Sequence, residues 1–187
     1  SESFLKKGWG AMFKRVLVAV DGSEHAWRAL DHAVALAKAM GSETLGVVHV
    51  RPSLTTLAYS YGFDGAAAPY GTFAERMVAE LKAAEDRSRE LLQEAEDRVR
   101  AAGLDSVQVV RHAEEGAVVR KILDLVRREG YELLVMGSRG MSRAAGLILG
   151  SVSQSLVANL PCSVMVVESR TEKEATGHET AKSTAES

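Results

Sequence analysis

Five short apolar runs set the frame for this chain: KRVLVAVD (14–21), TLGVVHV (44–50), SVQVVR (106–111), ELLVMG (132–137) and SVMVV (163–167). Each is too short for a buried helix, and β-branched residues recur in them, the pattern of interior strands. Between the runs the apolar period changes. Across 24–40, Ala26, Leu30, Ala33, Val34 and Ala37 share one helical face, with Ser23 placed to cap its start and Gly41 its end. From 73 to 102, Met77, Leu81, Ala84, Leu91, Ala95 and Val99 recur near helical spacing. Glu85, Arg89, Glu90, Glu94 and Arg98 lie between them as a solvated face with i,i+4 pairs. Residues 115–129 predict a third helix, and 150–159 a fourth that stops before Pro161. Strands of nearly unbroken apolar character that alternate with helices predict a parallel sheet covered on both faces. Right-handed crossovers make it a doubly wound α/β domain.

The 187 residues fit one domain with loose ends. Aromatic residues make up only 5%, so the interior must be mainly Val, Leu, Ile and Ala. Basic residues number 23 against 25 acidic, a net charge of −2 that argues against nucleic acid as the main partner. Cys162 is the single cysteine, which excludes an intrachain disulfide and fits a reducing, cytoplasmic setting. No apolar stretch approaches the roughly 18 residues of a membrane span, and the first 12 lack a secretory apolar core. The expected organisation is a flexible arm at 1–12, the α/β domain at 13–168 and an unstructured tail at 169–187. That tail holds no large aliphatic residue, and partner binding is its alternative role.

Two stretches depart from this economy. The connection 51–72, RPSLTTLAYSYGFDGAAAPYGT, is long enough to suggest either function or disorder. The Tyr59–Tyr61–Phe63 cluster within it fits a cover over a ligand, simple packing or a dimer contact equally well. The second is GSRGMSRAAGLILGSVS (137–153), which leaves the fourth strand through glycines and restarts as a helix. Open α/β sheets bind ligands beyond the carboxyl ends of their strands, where strand order reverses. Glycine lets backbone approach a ligand closely, and a helix start presents N–H groups to an anion. Gly137, Gly140, Gly150 and Ser151 therefore form either a phosphate cradle, helped by Ser153, Arg139 or Arg143, or a turn followed by a capped helix. The chain holds no Walker lysine loop, no G-x-G-x-x-G after the first strand and no G-x-S-x-G elbow.

What it does hold is G-x2-G-x9-G-S, built from Gly137, Gly140, Gly150 and Ser151. This spacing resembles the nucleotide-binding motif of the universal stress protein family, in its ATP-binding subgroup. VAVDGS (18–23), VVHV (47–50), LLVMGSRG (133–140), LGSVS (149–153) and PCSVMVV (161–167) resemble the family's blocks in the family's order, over roughly 13–168. The resemblance implies a Rossmann-like, adenine nucleotide alpha-hydrolase-like fold with sheet order 3-2-1-4-5. It also implies an ATP (or ADP or AMP) site in a stress-response module. By matching position, Ala19, Val20 and Asp21 border the nucleoside, Val50 meets adenine through its backbone, and Met136 lies nearby. Gly137, Arg139, Gly140, Gly150, Ser151, Val152 and Ser153 surround ribose and phosphates, although position 139 varies within the family. Asp21 either binds ribose, helps hold a divalent ion (Mg2+ or Mn2+) on the triphosphate, or caps the following helix. The family also implies a homodimer through the edge strand 163–167.

Other candidates carry less. His25 and His32 lie seven apart on the first helix and lack a third ligand nearby in sequence, so they read as ordinary helical residues. His49 falls in the second strand and reads as packed or hydrogen-bonded. Cys162 has no evident histidine base. The expected function is nucleotide-dependent regulation. Slow ATP hydrolysis and nucleotide-free dimerisation are the alternatives.

Overall fold

The computed structural model describes residues 12–60, 72–140 and 149–168. Strand β1 (Arg15–Ala19) leads into helix α1 (Glu24–Met40), β2 (Thr44–Arg51), α2 (Leu54–Ser60) and α3 (Thr72–Ala101). Then follow β3 (Gln108–Glu115), α4 (Val118–Glu129), β4 (Leu133–Gly137), α5 (Ser151–Asn159) and β5 (Ser163–Val167). The strands form one parallel sheet in the order β3-β2-β1-β4-β5, as the resemblance implies.

Strand alternation divides the core. Val16 and Val18 of β1 enter the layer packed by α1 and α3, whereas Leu17 enters the layer packed by α4 and α5. All three are fully buried, so β1 is the axis of the domain. Helix α1 forms where its pattern says it should. Ser23 Oγ accepts from the Ala26 N–H at 3.2 Å, and Gly41 adopts the left-handed φ of 64° that closes the last turn. Ala26, Leu30, Ala33, Val34 and Ala37 are all buried. Helix α3 exposes its charged face, with Glu85–Arg89 and Glu94–Arg98 paired, and Arg98 also lies 4.1 Å over the Trp27 ring of α1.

Three expectations need correction. Strand β3 runs four residues past Arg111, because RHAEE continues the alternation: Arg111, Ala113 and Glu115 are exposed, whereas His112 and Glu114 are half-buried. Ion pairs Arg111–Glu96 (3.1 Å) and Arg51–Glu115 (2.7 Å) dress this sheet edge. Helix α4 accordingly starts at Val118 rather than 115, after a turn in which Gly116 (φ 129°) donates its N–H to Arg51 O. The 51–72 connection contains a short helix, α2, whose Thr56 N–H bonds to Ser53 Oγ at 3.2 Å. Threonines at 55 and 56 hid it from propensity. Tyr59 is exposed, and Tyr61 and Phe63 lie outside the described residues, as do Arg143 and nearly all of the expected arm and tail. Among the described residues no helix is long and apolar enough to cross a membrane.

Candidate functional site

Strands β1 and β4 lie side by side, with Val16↔Leu133, Leu17↔Leu134 and Val18↔Val135 in register. The β2, β3 connections run to one side of β1 and β4, β5 to the other, so the carboxyl ends of β1 and β4 frame the switch point. Beyond β1 the chain turns at Asp21. Its Oδ1 accepts the Ser23 N–H at 3.0 Å, and Gly22 takes φ 84° to complete the turn into α1. The helix-side role of Asp21 is thus present. Its other oxygen lies toward Gly140, where a Cβ would come within 2.6 Å of Oδ2.

The glycine stretch is tied at its base. Ser138 N–H donates to Val167 O (2.8 Å), Gly150 N–H donates to Ser138 O (2.8 Å), and Ser153 Oγ donates to Gly137 O (3.1 Å). These bonds hold the start of α5 against the end of β4. The Ser153 hydroxyl proton is therefore committed to the backbone rather than directed to a ligand. The first bond of α5 runs from Gln154 N–H to Gly150 O, and no side chain caps the helix. By helix geometry the N–H groups of Ser151, Val152 and Ser153 have no intrahelical acceptor, the arrangement that receives anions.

The three motif glycines have different causes. A Cβ on Gly137 would lie 2.7 Å from His25 Cβ, so this glycine admits α1 close to the sheet rather than a ligand close to the backbone. Gly140 makes room for Asp21. At Gly150 the nearest atoms to a Cβ are 3.6 Å away, an ordinary contact, and its φ of −69° suits any residue. Among the described residues nothing demands glycine there.

All twelve residues singled out from the sequence line one cavity of about 250 Å³: Ala19, Val20, Asp21, Val50, Met136, Gly137, Arg139, Gly140, Gly150, Ser151, Val152 and Ser153. Sequence reasoning missed Ala26, Val48, His49, Val118, Ile122 and Leu156, which join them only through tertiary packing. Val48, Val50, Val118, Ile122, Met136 and Leu156 give the cavity an apolar wall. Asp21, His49, Arg139 and Ser151 supply side-chain polarity. Arg139 Nε is buried with no hydrogen-bond partner among the described residues, an uncommon state for a guanidinium nitrogen. The apolar wall, the orphaned Arg139 nitrogen and the uncapped helix start suit a ligand with a planar apolar part and an anionic part.

The remaining candidates stay apart from this centre or serve structure. His25 Nδ1 is 3.3 Å from the buried Ser138 Oγ, and His32 is exposed on α1. Among the described residues no three His, Cys, Asp or Glu side chains gather in metal-binding geometry. Burial pushes the Cys162 thiol up from its ordinary pKa, the opposite of nucleophile activation.

Comparison with known proteins gives this architecture its class. The family model described as the universal stress protein family matches residues 12–168. A universal stress protein of Thermus aquaticus, from the QAH/OAS sulfhydrylase 3' region, is 36% identical over 159 residues, spanning 83% of this chain and 99% of its own. Universal stress protein UspA from Lactobacillus plantarum superposes with a TM-score of 0.68 at 20% identity, over 84% of this chain and 99% of its own. A universal stress protein solved in complex with cAMP superposes with a TM-score of 0.57 at 25% identity, over 86% of this chain and all of its own. The chain belongs to the universal stress protein family, with the Rossmann-like, adenine nucleotide alpha-hydrolase-like fold.

Proposed function

We propose that this chain is an ATP-binding universal stress protein, a regulatory module of the stress response whose nucleotide state governs its contacts and which acts as a cytoplasmic homodimer. The observation that carries this reading is the meeting of Asp21, the uncapped start of α5 and an apolar wall in one cavity at the switch point. Val50, Met136 and Val118 would flank adenine. Asp21 would bind ribose, or an Mg2+ or Mn2+ ion carried by the triphosphate. Arg139 and the N–H groups of Ser151–Ser153 would hold phosphate, each contact adding charge-assisted bonding to a dipole already oriented. ADP and AMP would occupy the same groups with fewer contacts. The ordinary contacts around a Cβ at Gly150 support the G-x2-G-x9-G-S motif as a ligand device, since nothing among the described residues asks for glycine there. The cAMP-bound relative supports an adenine nucleotide as the ligand.

The dimer reading rests on β5. Ser163 N–H bonds to Glu132 O, and Val167 O receives the Ser138 N–H, so residues 163, 165 and 167 face β4. By alternation Val164 and Val166 direct their backbone groups to the open edge, ready to pair with a second copy. The test of nucleotide binding is calorimetry and thermal unfolding with ATP. Saturable heat and a raised melting temperature are expected; the absence of both removes the proposal.

A further inference from the structure

We infer that His49 is a positioning residue of the nucleotide site: its ring terminates the β1–β2 ladder and fixes the Val20–Asp21 segment against the cavity. This inference rests on the proposed nucleotide site for its purpose, but its geometry is independent of any ligand.

The β1–β2 pairing stops at Ala19↔Val48, although β2 itself continues, paired with β3, as far as Arg51↔Glu115. One more bond crosses, from Val20 N–H to Val48 O at 2.9 Å. In a parallel ladder the Val20 carbonyl would next accept from the Val50 N–H. That carbonyl instead meets the imidazole, with His49 Nδ1 2.8 Å from Val20 O. A carbonyl can only accept, so Nδ1 must carry the proton. The histidine side chain thus takes over a backbone bond. Two consequences follow for residues that line the cavity. Val50, whose N–H by alternation aims toward β1, loses Val20 O as its ladder acceptor at the place where it lines the cavity. Val20 is held at its N–H by Val48 O and at its carbonyl by the His49 ring, which leads the chain into Asp21, whose carboxylate lies between the Ser23 N–H and Gly140.

His49→Phe keeps an aromatic ring and removes the donor. His49→Asn keeps a donor on the atom bonded to Cγ, equivalent in position to Nδ1. In the protein without nucleotide, His49→Phe should speed hydrogen exchange of the Ser23 amide at least about tenfold, and His49→Asn should restore most of the protection. Ligand-free nitrogen NMR should show the neutral ring protonated on Nδ1. With ATP, His49→Phe should weaken binding about tenfold in the wild-type background and by less than about twofold in Asp21→Ala, because the ring acts through that segment. An Nε2–H tautomer, or Ser23 exchange unchanged by His49→Phe, overturns the inference. So does an equal loss of affinity in both backgrounds, which would make the ring a direct ligand contact. If the wild-type chain binds no nucleotide, the proposed function fails, and the exchange and tautomer results still decide on the anchor.

Discussion

Asp21 and Gly140 share one space: a Cβ on Gly140 would stand 2.6 Å from the Asp21 Oδ2, although the two residues lie on different loops. The carboxylate is held on its other side by the Ser23 N–H, so it cannot retreat without breaking the turn into α1. Gly140→Ala should therefore displace the carboxylate while leaving both core layers intact. The expected result is an adenine-nucleotide affinity reduced about tenfold or more, with far-ultraviolet circular dichroism unchanged. Titration calorimetry on the variant and on Asp21→Ala checks this, and the double variant should be little worse than either single one.

The glycines of the motif separate into fold and ligand positions. Gly137→Ala forces a Cβ against both His25 Cβ and the His25 backbone carbon, at 2.7 and 2.9 Å. Overpacking of this kind costs about 1–3 kcal/mol, and urea unfolding should show it. Gly150→Ala meets nothing closer than 3.6 Å among the described residues and should unfold like the wild type, yet bind ATP more weakly. Equal stability loss in the two variants would count against the distinction.

Ahead of the amino end of β4, His112 Nε2 lies 2.7 Å from the hydroxyl of buried Tyr131, and their rings meet edge to face. Gly46 belongs to the same cluster, since a Cβ there would overlap the Tyr131 hydroxyl. Burial pushes the tyrosine up to about 12 and lowers the His112 pKa below its ordinary 6.5, against the pull of Glu129 and Glu114. The unfolded chain then binds the His112 proton more readily than the folded one. The stabilisation is complete above the unfolded pKa of about 6.5 and is lost as pH falls through the lower folded value. Denaturant unfolding between about pH 7 and pH 5 should show this fall, and His112→Gln should flatten it. Tyr131→Phe should cost about 1 kcal/mol at pH 7.

Proline can probe the proposed dimer without harming the sheet. Val166 directs its backbone away from β4, so Val166→Pro removes an outward N–H and leaves the β4–β5 bonds in place. Sedimentation should show a dimer for the wild type and a monomer for the variant. A monomeric wild type across all concentrations would contradict the proposed assembly.

Much of this fold was legible because local signals agreed. In α1 the Ser23 cap, the Gly41 stop and the apolar face Ala26–Leu30–Ala33–Val34–Ala37 all named the same helix. Strand β3 beyond Arg111 was illegible because its edge position permits charged residues, whose ion-pair partners lie on α3, β2 and α4. Helix α2 was illegible because seven residues with two threonines hold too little periodicity. Within the cavity, the motif and the turn marked Asp21 and the glycines. Ile122 and Leu156 look like ordinary core positions on their own helices, and only the packing of α4 and α5 over the sheet brings them to the cavity. His49 carried a faint signal, a polar residue inside an apolar strand, but its bond to Val20 required the strand register.

Under the proposed function, an adenine nucleotide binds in this cavity and on no other surface. Amide NMR of the labelled protein titrated with ATP and Mg2+ tests it most directly. Saturable shifts are expected, centred on Asp21, Val50, Gly140 and the Ser151–Ser153 amides at the start of α5. Spectra unchanged at saturating ATP, or shifts gathered away from these residues, would contradict it.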